Sequence, residues 1–94
     1  MARARVVSFV GVDKARIDAL AREIEEGEPR EDIPASEILM LHDPESSSAL
    51  AILLFESEED YQRGDAALNA MPAGDTLGRR ESVTKYSVAL RMTR

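Results

Sequence analysis

The chain has 94 residues, enough for a single domain over residues 1–94 and too few for two. It has no cysteine, which excludes disulfides, thiolate metal sites and thiol nucleophiles. A net charge of −6 argues against a nucleic-acid partner, because phosphate binding needs concentrated positive charge.

Val6, Val7, Phe9 and Val10 make a β-branched and aromatic cluster that predicts a first strand over Arg3 to Val10. Gly11 ends it and Asp13 caps the helix that follows. Ile17, Leu20, Ala21 and Ile24 fall at i, i+3, i+4 and i+7, one apolar helical stripe. Lys14, Asp18, Arg22 and Glu25 occupy the opposite, solvated face. Gly27 and Pro29 stop this helix. Glu28 to Pro34 is charged and proline-bearing, hence a loop.

A second strand is expected over Ala35 to His42 and a third over Ala49 to Phe55, joined by Asp43-Pro44-Glu45-Ser46-Ser47-Ser48, which is turn chemistry. Ser57 followed by Glu58, Glu59 and Asp60 starts a second helix, with negative charge at the positive end of its dipole. Tyr61, Gly64, Leu68 and Met71 trace one face of it. Gly64 in a helix interior costs about 1 kcal/mol against alanine, which suggests a close backbone approach, with simple tolerance as the alternative. Pro72 follows the helix, a glycine-bearing loop is expected over Ala73 to Arg80, and a last strand over Glu81 to Met92.

The longest apolar run, Ala49 to Phe55, is far short of the roughly 20 residues that cross a bilayer. Val6 to Val12 is too short and interrupted for the core of a signal peptide, so a cytoplasmic protein with no membrane partner is expected. Acidic residues dominate from Asp13 to Asp65, while Arg79, Arg80, Lys85, Arg91 and Arg94 make the end basic. This asymmetry reads as solubility charge, with steering of an anionic ligand toward the C-terminal strand as the alternative.

The order βαββαβ defines an α+β, ferredoxin-like fold: a four-stranded antiparallel sheet with two helices on one face. Two right-handed crossovers place the first and third strands in its centre. The other face then has nothing to cover it. A wet sheet face should alternate cleanly between apolar and polar, yet residues 38–41, Leu50 to Phe55 and Val6-Val7 are apolar on both sides. A homodimer packed sheet to sheet is the simplest cover. It would also support a chain that buries only roughly 60–65% of its unfolded surface.

In element order and in the segments "VVSFVGV", "ALAILLFESEEDYQRGDAALNAMP" and "SVTKYSVALRM", the chain resembles the dimeric α/β-barrel superfamily, particularly its antibiotic biosynthesis monooxygenase-like members. The acidic helix start Phe55-Glu56-Ser57-Glu58-Glu59-Asp60 carries part of the likeness. The resemblance implies a homodimer and a small apolar organic ligand between sheet and helices, with cofactor-independent oxygenase or isomerase activity among the options. Its oxygenases use Asn, Trp and Tyr in the pocket, and its haem-degrading members Asn, His and Trp. This chain has no tryptophan, and its sole asparagine is Asn69 in the second helix, so neither set is matched.

The only histidine, His42, closes the second strand on the face of Ile38 and Met40 and belongs to the residue type best suited to proton transfer at neutral pH. It is the candidate acid or base; the alternative is a strand-end histidine bonded to the turn. Asp43 points to the opposite face. Ser8, Tyr86, Lys85 and Ser87 are pocket candidates: serines on the cavity side would orient a ligand, and Tyr86 points either to the helices or into the barrel. Tyr61 reads as core. A single histidine cannot make a multi-histidine metal site, and no cofactor or metal is expected. An RNA-recognition domain would need strand aromatics on a basic sheet, a metallochaperone a Cys-x-x-Cys pair, and a phosphate loop a Gly-Lys-Ser/Thr; all three are missing. A non-catalytic ligand-binding or assembly module with the same dimer remains the alternative to an enzyme.

Overall fold

The computed structural model describes residues 1–71 and 77–94. Its elements are β1 (Arg3–Val10), α1 (Lys14–Glu26), β2 (Glu37–Asp43), β3 (Ser48–Phe55), α2 (Glu58–Asn69) and β4 (Arg79–Ser87). The strands form one antiparallel sheet in the order β2-β3-β1-β4, with β1 and β3 central as the crossover rule requires. This is the ferredoxin-like βαββαβ arrangement. Among the described residues no helix is long and apolar enough to cross a membrane.

Local chemistry sets the joints. Gly11 adopts φ 68°, a left-handed turn open to glycine, and releases the chain from β1 into α1. The Asp13 carboxylate accepts the Arg16 N–H at 2.7 Å, and Ser57 Oγ accepts the Asp60 N–H at 3.1 Å, so each helix begins on a side-chain cap. In the β2–β3 turn the Asp43 carboxylate accepts from Glu45 N–H and Ser46 Oγ. Gly64 is a close-approach glycine, as its sequence position suggested. A Cβ there would lie 2.4 Å from the Phe55 ring. Phe55 is fully buried and meets Tyr61 edge-on at 5.6 Å.

The register assigns every strand residue to a face. Arg5, Val7 and Phe9 of β1 pair with Leu53, Ala51 and Ala49 of β3 and point toward the helices. On the other side lie Ala4, Val6 and Ser8 with Leu54, Ile52 and Leu50. Ala4 is buried on that second face, while Leu39, Leu41, Leu50 and Tyr86 are exposed there. Total accessible surface is 6423 Å². A compact monomer of 10.4 kDa is expected to expose only about 5,400 Å².

Several expected strand boundaries move, by a residue at the β2–β3 turn and by more elsewhere. β2 begins at Glu37 rather than Ala35, and just before it Ser36 N–H bonds to the Leu54 carbonyl. β4 spans Arg79–Ser87 instead of Glu81 to Met92. Ser87 pairs with Arg3, the first residue of β1, so beyond it the ladder has no partner backbone to continue on. The chain leaves through one more bond, Val88 N–H to the Ala2 carbonyl. Arg91 is then held by Glu56 at 2.7 Å and Glu37 at 3.3 Å. Of the expected loop Ala73 to Arg80, residues 73–76 lie outside the described residues, as does Pro72, while Arg79 and Arg80 belong to β4.

Candidate functional site

The core between sheet and helices falls into two clusters. One gathers Val7, Phe9, Val12, Ile17, Ala49 and Leu77; the other is Leu53, Phe55 and Tyr61. Residues of both line an open-mouthed cavity of about 540 Å³ over the sheet, bordered by α1, the α1–β2 loop, β2 and α2. That volume is in the range of small-molecule sites. Its wall is largely apolar: Val7, Phe9, Met40, Leu53 and Leu68 face it from three strands and a helix. Ile24, on the stripe that should be core, is 43% exposed because it stands at this cavity and not against a packed neighbour. The charged lining residues Glu23, Glu28, Arg30 and Arg80 are exposed, and Asp32 holds Arg30 through two bonds of 3.0 and 2.6 Å.

One charged group sits deep in the wall. Arg5, on the central strand β1, is only 2% exposed. Its Nε donates to Asp65 at 2.9 Å and its Nη2 to the Asn69 side-chain oxygen at 3.1 Å. Asp65 and Asn69 are one turn apart on α2, and Asn69 Nδ2 also donates to Asp65 at 3.3 Å. The guanidinium is therefore fixed by a two-residue cradle. Sequence reasoning missed it, placing Arg5 within the first strand and giving it no role. The available signal was its strand parity with Val7 and Phe9, together with the Asp65/Asn69 spacing.

The residues singled out from sequence are placed elsewhere. His42 shares the helix-side face with Ile38 and Met40, as alternation implies, and its Nε2 lies 3.3 Å from the Val12 carbonyl at the start of α1, not on the β2–β3 turn. Ser8 lies on the open face of the sheet. Together Ser8 and His42 line a smaller depression of about 230 Å³ at the end of the sheet, beside Leu41, Asp43 and Leu50. Asp43 is there too, but its carboxyl is held below the usual range by the Ser46 and Glu45 bonds of the turn.

Lys85 and Ser87 point to the helix side and Tyr86 to the open face, so the two serines Ser8 and Ser87 stand on opposite faces. Register decides this: Ser8 pairs with Ser82, an odd number of residues from Ser87. Lys85 and Ser87 join a polar cluster at the start of α2. Glu58 binds both Lys85 and Arg3, Arg3 donates to Ser87 Oγ at 3.1 Å, and Lys85 Nζ sits 4.8 Å from the centre of the Tyr61 ring. Lys85 first and Arg3 second pull the Glu58 carboxyl down to about 2. Burial raises the Tyr61 phenol. This cluster ties β1 and β4 to α2. None of the five sequence candidates lines the large cavity.

Among the described residues no group of three or more His, Asp or Glu side chains is arranged to hold a metal ion. Fold and cavity together define a small ferredoxin-like α+β domain with a ligand-sized space between sheet and helices. In comparisons with known proteins, no family model, no curated protein and no solved structure gives a significant match.

Proposed function

We propose that this chain is a dimeric α/β-barrel protein that binds a small, largely apolar organic molecule between its sheet and its helices. The observation that carries the reading is the apolar cavity of about 540 Å³ that divides the core. A pure assembly module has no use for such a space. Unfilled volume forfeits packing energy, about 24 cal/mol per Å³ in mutational cavities, and water gains little in a wall with so few polar partners. Binding is favoured over catalysis by His42, because His42 is turned to another part of the molecule. The chain acts in the cytoplasm, as its lack of a membrane-length apolar run suggests.

The dimer part of the reading rests on the uncovered sheet face. The chain exposes about 1,000 Å² more than a compact monomer of its mass. That excess is comparable to the roughly 800 Å² each partner buries in a standard interface. The second copy of the sheet is the surface that matches it in shape and chemistry.

Two measurements test the reading. Native mass spectrometry of protein purified from its own host is expected to show a dimer carrying a retained small molecule. Ala51→Phe, which fills the cavity floor from β3, is expected to release that molecule and to abolish displacement-sensitive binding of an apolar fluorescent dye such as 1-anilinonaphthalene-8-sulfonate. Unchanged dye binding in that variant would remove the cavity from consideration.

A further inference from the structure

The cavity has one buried cation in its wall, and the hydrogen bonds of that cation leave a specific edge unused. A guanidinium presents five N–H donors in a plane. In Arg5 the side edge, formed by Nε and Nη2, is occupied by Asp65 and Asn69. The end edge, formed by Nη1 and the second Nη2 hydrogen, makes no hydrogen bond among the described residues. Among the described residues no buried side-chain nitrogen or oxygen lacks a partner. Arg5 is 2% exposed and lines the cavity, so its unbonded end edge is the part of the guanidinium left to meet a ligand there. Two parallel donors on an end edge match the two oxygens of a carboxylate, the bidentate pairing that arginine forms best.

We propose, building on the ligand-binding reading above, that the cavity takes a monocarboxylate with an apolar body, its carboxylate on the end edge of Arg5. The apolar body lies along Val7, Met40, Leu53 and Leu68. Asp65 does not cancel the site. It is one-third exposed and partly solvated, whereas Arg5 is buried, so the cation is the group presented to the cavity interior. The net charge of −6 sits largely on solvated residues that salt screens over about 8 Å, while the two donors act at contact distance. The Asp65–Asn69 cradle holds the guanidinium plane in place before the ligand arrives, which reduces the entropy lost on binding.

The test compares octanoate, octanol and octylamine by isothermal titration calorimetry at neutral pH, in the wild type and in Arg5→Met. The wild type is expected to bind octanoate at least about ten-fold more tightly than octanol and to reject octylamine; Arg5→Met is expected to bind octanoate no better than octanol. Equal affinities for octanoate and octanol in the wild type, or a preference that survives Arg5→Met, overturn the proposal. Octanol binding without a carboxylate preference leaves the cavity reading standing and removes the carboxylate, whereas no binding of any of the three removes both. Because Arg5→Met strands Asp65, the double variant Arg5→Met/Asp65→Leu replaces the pair with apolar groups and is held to the same expectation. The wild-type series decides by itself if neither variant folds.

Discussion

The same strands supply both faces of the sheet, yet the two faces end in different states. On the helix side Val7, Leu53 and Phe55 are buried, while on the open side Leu39, Leu41, Leu50 and Tyr86 remain exposed. Side-chain type does not account for the contrast; two helices cover one face, and no third layer of helix or strand stands among the described residues. Nor is the covered face uniformly filled. Its two ends are packed around Phe9 and Phe55, and its middle holds the cavity. A face that is apolar and unfilled invites a small ligand, and one that is apolar and uncovered invites another sheet.

The open face is the easier to break. Leu50 sits on the central strand β3 and is exposed on that surface. Leu50→Glu would place an unpaired charge in a sheet-to-sheet interface, where burial is costly by several kcal/mol. It is expected to raise the dimer dissociation constant by at least about 100-fold, read by sedimentation equilibrium. The exposed position makes it nearly silent in a monomer, so a wild type that sediments as a stable monomer at micromolar concentration ends the dimer proposal.

The packed end of the covered face responds to the opposite change. A methyl on Gly64 would enter the Phe55 ring, which is pinned between Tyr61 and the strand. Overpacking of this kind costs about 1–3 kcal/mol, more than the roughly 1 kcal/mol of helix propensity that alanine returns. Gly64→Ala is therefore expected to lower the unfolding free energy by about 1–2 kcal/mol in urea titrations. A stabilised variant would mean that the ring has room to turn, and that the packed end is looser than its burial suggests.

How much of this was legible in the sequence depended on what kind of signal each feature left. Element order was plain, because Gly11, Gly27, Pro29, Pro44 and the Ser57 cap punctuate well-patterned segments. Gly64 could be read as a close approach from its cost alone. The end of β4 could not: Val88, Leu90 and Met92 continue a strand-like alternation past the point where β1 stops offering a partner. Strand faces were ambiguous wherever both neighbours of a residue were polar, as at Tyr86, because parity on one strand says nothing without the register to the next. Arg5 was hidden for a different reason. An arginine near a terminus looks like surface charge until α2 brings Asp65 and Asn69 onto it.

At the edge of the covered face, the Glu58 cluster predicts an acid sensitivity. A carboxyl pulled from its ordinary 4.5 down to about 2 by Lys85 and Arg3 binds its proton less readily when folded than when unfolded. Its stabilising effect is thus complete above the unfolded value and disappears as pH falls from there through about 2. Asp32, Asp43 and Glu56 are lowered too and act in the same direction. In Glu58→Gln the decline in stability between about pH 5 and 2 is expected to be shallower than in the wild type, by urea unfolding at each pH. Parallel curves would mean that solvent screens this exposed cluster fully.

His42→Ala is the smallest expected effect, and it separates the cavity from the end of the sheet as functional surfaces. The side chain contributes one bond of 3.3 Å to the Val12 carbonyl and borders the small depression, not the main cavity. Loss of a single such bond amounts to about 1 kcal/mol or less. Octanoate affinity is expected to stay within about two-fold, since no atom of His42 reaches the cavity wall. A large loss of binding or turnover at unchanged stability would instead move the functional site to the end of the sheet, where Ser8 and His42 meet across its edge. That end of the sheet would then carry the chemistry, and the cavity beneath the helices would be a packing defect.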